Sequence, residues 1–186
     1  MSQSQLLFYP NERTSIFIDG RSLFHTARKL DFEVDLSKFS QYFASKFQLV
    51  RCSYYTPVSE ERTPLHNILD WLSYNGFTVS TRVFSPDNHP PSISSLMSVD
   101  IIEQTLGNGY AGDEPYALQH VVIVSGDGDY CPVVKFLKSR SIRVSVMSSL
   151  ETEPLSISEE LRRLADNFIE LDDLRSELER HKKTSA

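Results

Sequence analysis

The stretch HVVIVSGDGDY, residues 120–130, packs the most information into the fewest positions. A short apolar run from His120 to Val124 stops at Ser125-Gly126, and Asp127 and Asp129 follow with one glycine between them. An unbroken β-branched run of this length, ended by turn residues, reads as a strand buried on both faces. A second run of the same kind, SIFID at residues 15–19, ends in Asp19-Gly20. Two buried strands thus deliver carboxylates at their carboxyl ends. Taken singly, each aspartate also suits a turn, and Asp129 suits the cap of a helix opening at Tyr130 with Pro132 in its first turn.

Outward from these strands, β and α patterns alternate. Strands are expected at QLVRCSYYTP (48–57), closed by Pro57, and at FTVSTRVF (77–84), IRVSVMS (142–148) and NFIEL (167–171). Helical spacing marks residues 21–30, a segment from 35 to 47 with Asp35 as N-cap, residues 60–76 stopping at Gly76, residues 96–106, about 129–139, 157–166, and a polar final helix from 172. SPDNHPPSISS (85–95) and GNGYAGDEP (107–115) read as loops. Alternation of this kind predicts a three-layer α/β/α sandwich, Rossmann-like, with a mostly parallel central sheet. Ligands of such sheets bind beyond the carboxyl ends of the strands, where Asp19 and Asp127 lie.

Carboxylates crowded in an apolar crevice repel, and a hard divalent ion such as Mg²⁺ or Mn²⁺ relieves them. Asp100, flanked by Val99, Ile101 and Ile102, is a candidate fourth acid on its helix. Other chemistries are excluded by absence of their motifs. No GxxxxGK[ST] loop is present, no GxGxxG follows the first strand, and that strand lacks the second acid of haloacid-type phosphatases. Cys52 and Cys131 have no metal-ligand or disulfide-framework spacing, and the five histidines are scattered. No run of about 20 apolar residues exists to cross a bilayer, and the start lacks a signal-peptide pattern, so a cytoplasmic location and no membrane partner are expected. A net charge of −6 counts mildly against a dedicated duplex-binding protein.

With FYP and ER near the start, IFIDGRSLF (16–24), YNG (74–76), VSGDGDY (124–130) and LRRLADNFIEL (161–171), the chain resembles the LabA-like NYN-domain proteins of the PIN-like nuclease superfamily. The resemblance spans residues 8–174 and leaves 175–186 as a polar helix or tail. It implies a PIN-like domain and a metal-dependent ribonuclease that hydrolyses RNA to 5′-phosphate and 3′-hydroxyl ends. Asp19, Asp100, Asp127 and Asp129 fall on the family's acids as catalytic and metal-binding residues; Ser22 and Ser125 are substrate-binding candidates beside them, and Arg21 is another because it directly follows Asp19-Gly20. The family usually reads FIDGxNL, and here Ser22 replaces the Asn; the Lys-Gly pair before the helix acid and the second helix acid are also missing. Those departures support an alternative, a catalytically weakened member that acts by binding RNA or a protein partner, or as a homodimer. Arg28, Lys29, Lys135, Lys138, Arg162 and Arg163 read either as a phosphate track or as solvated helix faces, and Tyr130 as either a base-stacking ring or core.

Overall fold

The computed structural model describes residues 8–106, 109–111 and 114–180. Its centre is a six-stranded sheet in which all the neighbouring strands run parallel. The strands are β1 (Arg13–Asp19), β2 (Gln48–Ser59), β3 (Phe77–Phe84), β6 (His120–Val124), β7 (Arg143–Ser148) and β8 (Asn167–Glu170), in the order β3-β2-β1-β6-β7-β8. The chain starts in the middle, builds outward to β3, then returns to the other side of β1 and builds outward again. The reversal in order falls between β1 and β6, so a crevice opens beyond their carboxyl ends.

Alternation along β1 splits the core into two layers. Ile16 and Ile18 face one way and join Phe39, Phe43 and Leu72; Phe17 faces the other and joins Met97, Ile123 and Val134. The first layer is covered by α1 (Gly20–Lys29), α2 (Leu36–Ala44) and α3 (Pro64–Tyr74), the second by α4 (Ser94–Leu106), α5 (Cys131–Ser139) and α6 (Glu159–Leu164). The three-layer sandwich expected from the alternating pattern is the observed fold. Helix starts follow local chemistry: Asp35 accepts from Ser37 N and Lys38 N at 2.9 and 3.2 Å, and α3 opens on Pro64 and stops at Gly76, whose φ is +84°.

Three expectations need correction. β2 does not close at Pro57 but continues to Ser59, paired with β3. Its partner on the other side, β1, ends at Asp19 opposite Tyr55, so that flank has no ladder left to require the missing proline N–H. Part of the 107–115 segment is not loop: β4 (Gly109–Ala111) and β5 (Glu114–Tyr116) pair as an antiparallel hairpin. The long final helix shrinks to a 3₁₀ turn, Asp172–Leu174, and α7 (Arg175–Leu178). Leu174 and Leu178 are buried in the first core layer, and Asp35 N, Lys38 Nζ and Arg180 N bond the backbone across this junction. Residues 175–180 therefore pack into the domain rather than trailing from it. The expected tail from 181 to 186 lies outside the described residues.

At the opposite end of the sheet from the acids, His120 is fully buried between Thr14 Oγ1 at 3.1 Å and Ser145 Oγ at 2.8 Å, with the Arg143 guanidinium at 3.2 Å. Burial, reinforced by the Arg143 charge, lowers its pKa to about 3. The unfolded chain binds this proton near the ordinary value of 6.5 and the folded chain does not. His120 therefore contributes stability that is fully present above pH 6.5 and is lost as pH falls toward 3. Unfolding free energies from urea denaturation across that window should decline by about 1.4 kcal/mol per pH unit from this group, and the slope should flatten in His120→Gln.

Candidate active site at the switch point

Asp19 ends β1 and opens α1, and its position is fixed by both. Its Oδ1 accepts from Ser22 N at 3.0 Å as the helix N-cap, while Oδ2 accepts from the Tyr130 hydroxyl at 3.3 Å. The residue is only 8% exposed. Burial pushes its carboxyl pKa up; the Ser22 and Tyr130 donors pull it back, the Asp127 charge raises it further, and the exposed Arg21 lowers it. Asp19 is thus a carboxylate kept beside another carboxylate in a place that resists its charge.

Asp127 and Asp129 sit on the turn after β6 and are exposed. Asp127, not Asp129, is the cap: its Oδ1 accepts from Asp129 N at 3.0 Å and opens a 3₁₀ turn, Gly128–Tyr130, that leads into α5. Asp129 lies within that turn, and its Oδ2 accepts from Ser94 Oγ at 3.2 Å. Asp100 is half-buried on α4, where its Oδ2 accepts from the Tyr55 hydroxyl at 2.9 Å. All four acids therefore lie around the carboxyl end of the sheet, each with an oxygen bonded to a protein donor. Among the described residues, no group of three or more His, Cys, Asp or Glu side chains is close enough to form a ready-made metal cage. Of these acids, Asp127 is the one whose charge bears on Asp19. Mg²⁺ is commonly held by one or two carboxylates, with waters or substrate phosphate completing its shell, and this pair has the donor chemistry for that.

Ser22 and Ser125 brace the loop. Gly126 N donates to Ser22 Oγ at 3.3 Å, and Asp127 N donates to the buried Ser125 Oγ at 3.2 Å. The basic residues divide. Lys135 pairs with Glu160 at 3.0 Å, Lys138 with Asp166 at 2.8 Å, and Arg163 with Glu159; Arg162 lies over the Phe168 ring, and Lys29 donates to Pro154 O at 2.9 Å. Arg21 and Arg28 remain exposed.

Two tyrosines carry more of the site than the sequence suggested. Tyr130 is fully buried, which removes it as a base-stacking ring; its hydroxyl instead touches Asp19 and, at 3.5 Å, Met97 Sδ. Tyr55 lies opposite Asp19 in the β1–β2 register, stacks on Phe17, and reaches Asp100 across 45 residues of chain. Burial, and then the neighbouring carboxylates, push both phenol pKa values upward, so both hydroxyls stay protonated as donors. The available signal was position: Tyr54 and Tyr55 are adjacent residues on opposite faces of the buried part of β2, and Tyr55 is the one on the face of α4. Tyr55→Phe is expected to cost roughly 1.5–3 kcal/mol in chemical denaturation, the usual loss for a hydrogen bond to a charged acceptor.

A parallel sheet whose strand order reverses beside carboxylates makes this a three-layer α/β protein with its crevice at the switch point. A crystal structure of a protein of unknown function from Vibrio parahaemolyticus shares this fold, with a TM-score of 0.69 and 21% identity over 90% of this chain and 96% of that one. Residues 13–172 match the NYN domain, and the chain belongs to that family. It is also 28% identical over 180 residues to the Low amplitude and bright protein LabA of Synechococcus elongatus, spanning 94% of this chain and 91% of that protein. NYN membership suggests ribonuclease activity in general, and nucleases of this type generally use divalent metals.

Proposed function

We propose that this NYN-domain protein is a divalent-metal-dependent ribonuclease acting at the acids around Asp19. The observation that carries the reading is the buried Asp19 carboxylate, whose charge is disfavoured by burial and by Asp127. A fold does not keep such a pair beside an open crevice for stability alone. Asp19 and Asp127 would hold a Mg²⁺ or Mn²⁺ ion, with Asp100 and Asp129 as outer acids around its waters. When bound, the ion would activate water and stabilise charge on the phosphoryl oxygens. Ser22 N and Tyr130 keep the Asp19 oxygens in place, and Ser22 and Ser125 set the loop that carries Asp127. Arg21, exposed beside the pair, would meet a non-bridging phosphate oxygen.

Purified protein should cleave RNA with Mn²⁺ and lose that cleavage in Asp127→Asn; equal cleavage by both, or none by either, refutes the reading. A second reading, an RNA-binding or partner-binding regulator without catalysis, is favoured by the bonds that engage Asp100 and Asp129 and by Ser22 in place of the family's asparagine. RNA binding without any Mn²⁺ uptake by calorimetry would select it. The two free, buried cysteines suit the reducing cytoplasm. No helix among the described residues is long and apolar enough to cross a membrane.

A further inference from the structure

β3, the eight-residue strand at one end of the sheet, has nothing paired to its outer side among the described residues. Glu60 N donates to Phe84 O at 3.0 Å, which fixes the phase of the strand. Phe84 turns its backbone groups toward β2, and by alternation so do Arg82, Ser80 and Thr78. Pro57 fits this phase, because the β2 donors toward β3 are then its neighbours Thr56 and Val58. Phe77, Val79, Thr81 and Val83 therefore direct their N–H and C=O groups outward. Proteins usually blunt such an edge by shortness, proline, lysine or a bulge. The edge at β8 is blunted in this way, being four residues long. β3 has no proline, lysine or break in register, and its single charge, Arg82, donates to Ser92 O at 3.0 Å. Val83 is also 62% exposed, on the face where Phe77 and Val79 join the first core layer.

We infer that β3 is a docking edge for a second copy of this chain, paired antiparallel about a two-fold axis through Ser80. The inference is independent of the ribonuclease reading. An axis normal to the sheet keeps each helical layer on its own side and so matches odd positions to odd ones. Centred on Ser80, it sets Phe77 opposite the partner's Val83 and Val79 opposite the partner's Thr81. All four outward residues of both copies are then used, in about eight hydrogen bonds. Centred on Thr81, it would set Phe77 opposite the partner's Ser85, beyond the end of the strand. The Ser80 register also covers the exposed Val83 and sets Arg82 opposite the partner's Thr78, so no like charges meet. A second copy suits the edge better than an unrelated strand because the edge is its own complement. The same four residues supply every donor and acceptor, and the contact closes at two chains. Because the copies run antiparallel, their acidic crevices open at opposite ends of the joined sheet, and neither borrows residues from the other.

Light scattering of the full chain at roughly 100 µM, where a micromolar dimer is filled, should give twice the mass of one chain. Thr81→Pro removes an outward N–H and leaves the β2 ladder whole, so it should fold and run as a monomer. Val83→Lys, at an exposed position, should weaken the dimer about tenfold or more. Ser80→Cys reads the register. At the axis the two copies of this residue form a non-hydrogen-bonded pair with Cα atoms about 4.5 Å apart, within disulfide reach, so mild oxidation should link them. Thr78→Cys, opposite the partner's Arg82, should stay unlinked. The native Cys52 and Cys131 are buried and do not compete. Should Thr81→Pro fail to fold, the two cysteine variants decide. A monomeric wild type overturns the inference and leaves the edge to a strand from another protein. A dimer that survives both Thr81→Pro and Val83→Lys overturns it, as does linking through Thr78→Cys or through neither cysteine.

Discussion

Asp19→Asn should abolish RNA cleavage, by a factor on the order of 10² to 10³ or more, and at the same time make the protein harder to unfold. The two effects have one cause. Asp19 is 8% exposed, and burial together with Asp127 raises its pKa above 3.8. Between 3.8 and that raised value, the folded chain holds a proton that the unfolded chain has released. The wild type therefore loses stability as pH rises through that window, and carries the full penalty above it. Asparagine has no charge to bury, yet its side-chain oxygen can still accept from Ser22 N and its amide can still donate to the Tyr130 hydroxyl. Thermal melts should show the variant's advantage growing with pH above 3.8 and vanishing below it. Added Mn²⁺ should raise the wild-type melting temperature and leave the variant's unchanged, since only the wild type offers the ion a carboxylate pair. A variant less stable than wild type at pH 7 would mean that the Asp19 bonds outweigh its desolvation.

Gly126→Ala should be the most damaging substitution to the fold near the site. A Cβ built on Gly126 would lie 1.6 Å from Ser156 O and 2.7 Å from Ser148 Oγ. The obstacle is largely backbone, held there by Ser158 N donating to Gly126 O at 2.8 Å and by Ser148 Oγ donating to Ser156 O at 2.8 Å. No rotamer change relieves it, so the 126–130 turn or the 156–158 segment must move. The cost should be about 3 kcal/mol or more in urea denaturation. Cleavage should fall too, because Asp127 rides on the displaced turn. Gly76→Ala is the useful contrast: φ is +84° but open space surrounds it, so only the left-handed backbone resists, at about 1 kcal/mol.

The sheet was readable because the inner parts of β1 and β6 are buried on both faces and so appear as short unbroken apolar runs, which few other structures produce. Asp19 and Asp127 were readable for the same reason, since they end those runs. What stayed hidden depended on neighbours rather than on local pattern. Pro57 reads as a stop until β1 is seen to have ended opposite Tyr55. The β4–β5 hairpin is three residues a side and rich in glycine, so no period of two emerges. The bonds that hold Asp100 and Asp129 come from Tyr55 and Ser94, 45 and 35 residues away in sequence, and only the packing of α4 against the sheet brings them together.

The packing of residues 174–180 against α2 affects the order in which the molecule can be completed. Leu174 and Leu178 fill a layer built mostly from the first half of the chain, and Val34 bridges to Glu179. A nascent polypeptide still tethered to the ribosome near Asp172, where the NYN match ends, would have every strand of the main sheet but a bare oily patch over Phe32 and Leu36. Recombinant versions trimmed at that boundary should clump, and a fusion partner joined there without a spacer should compete with the final clasp.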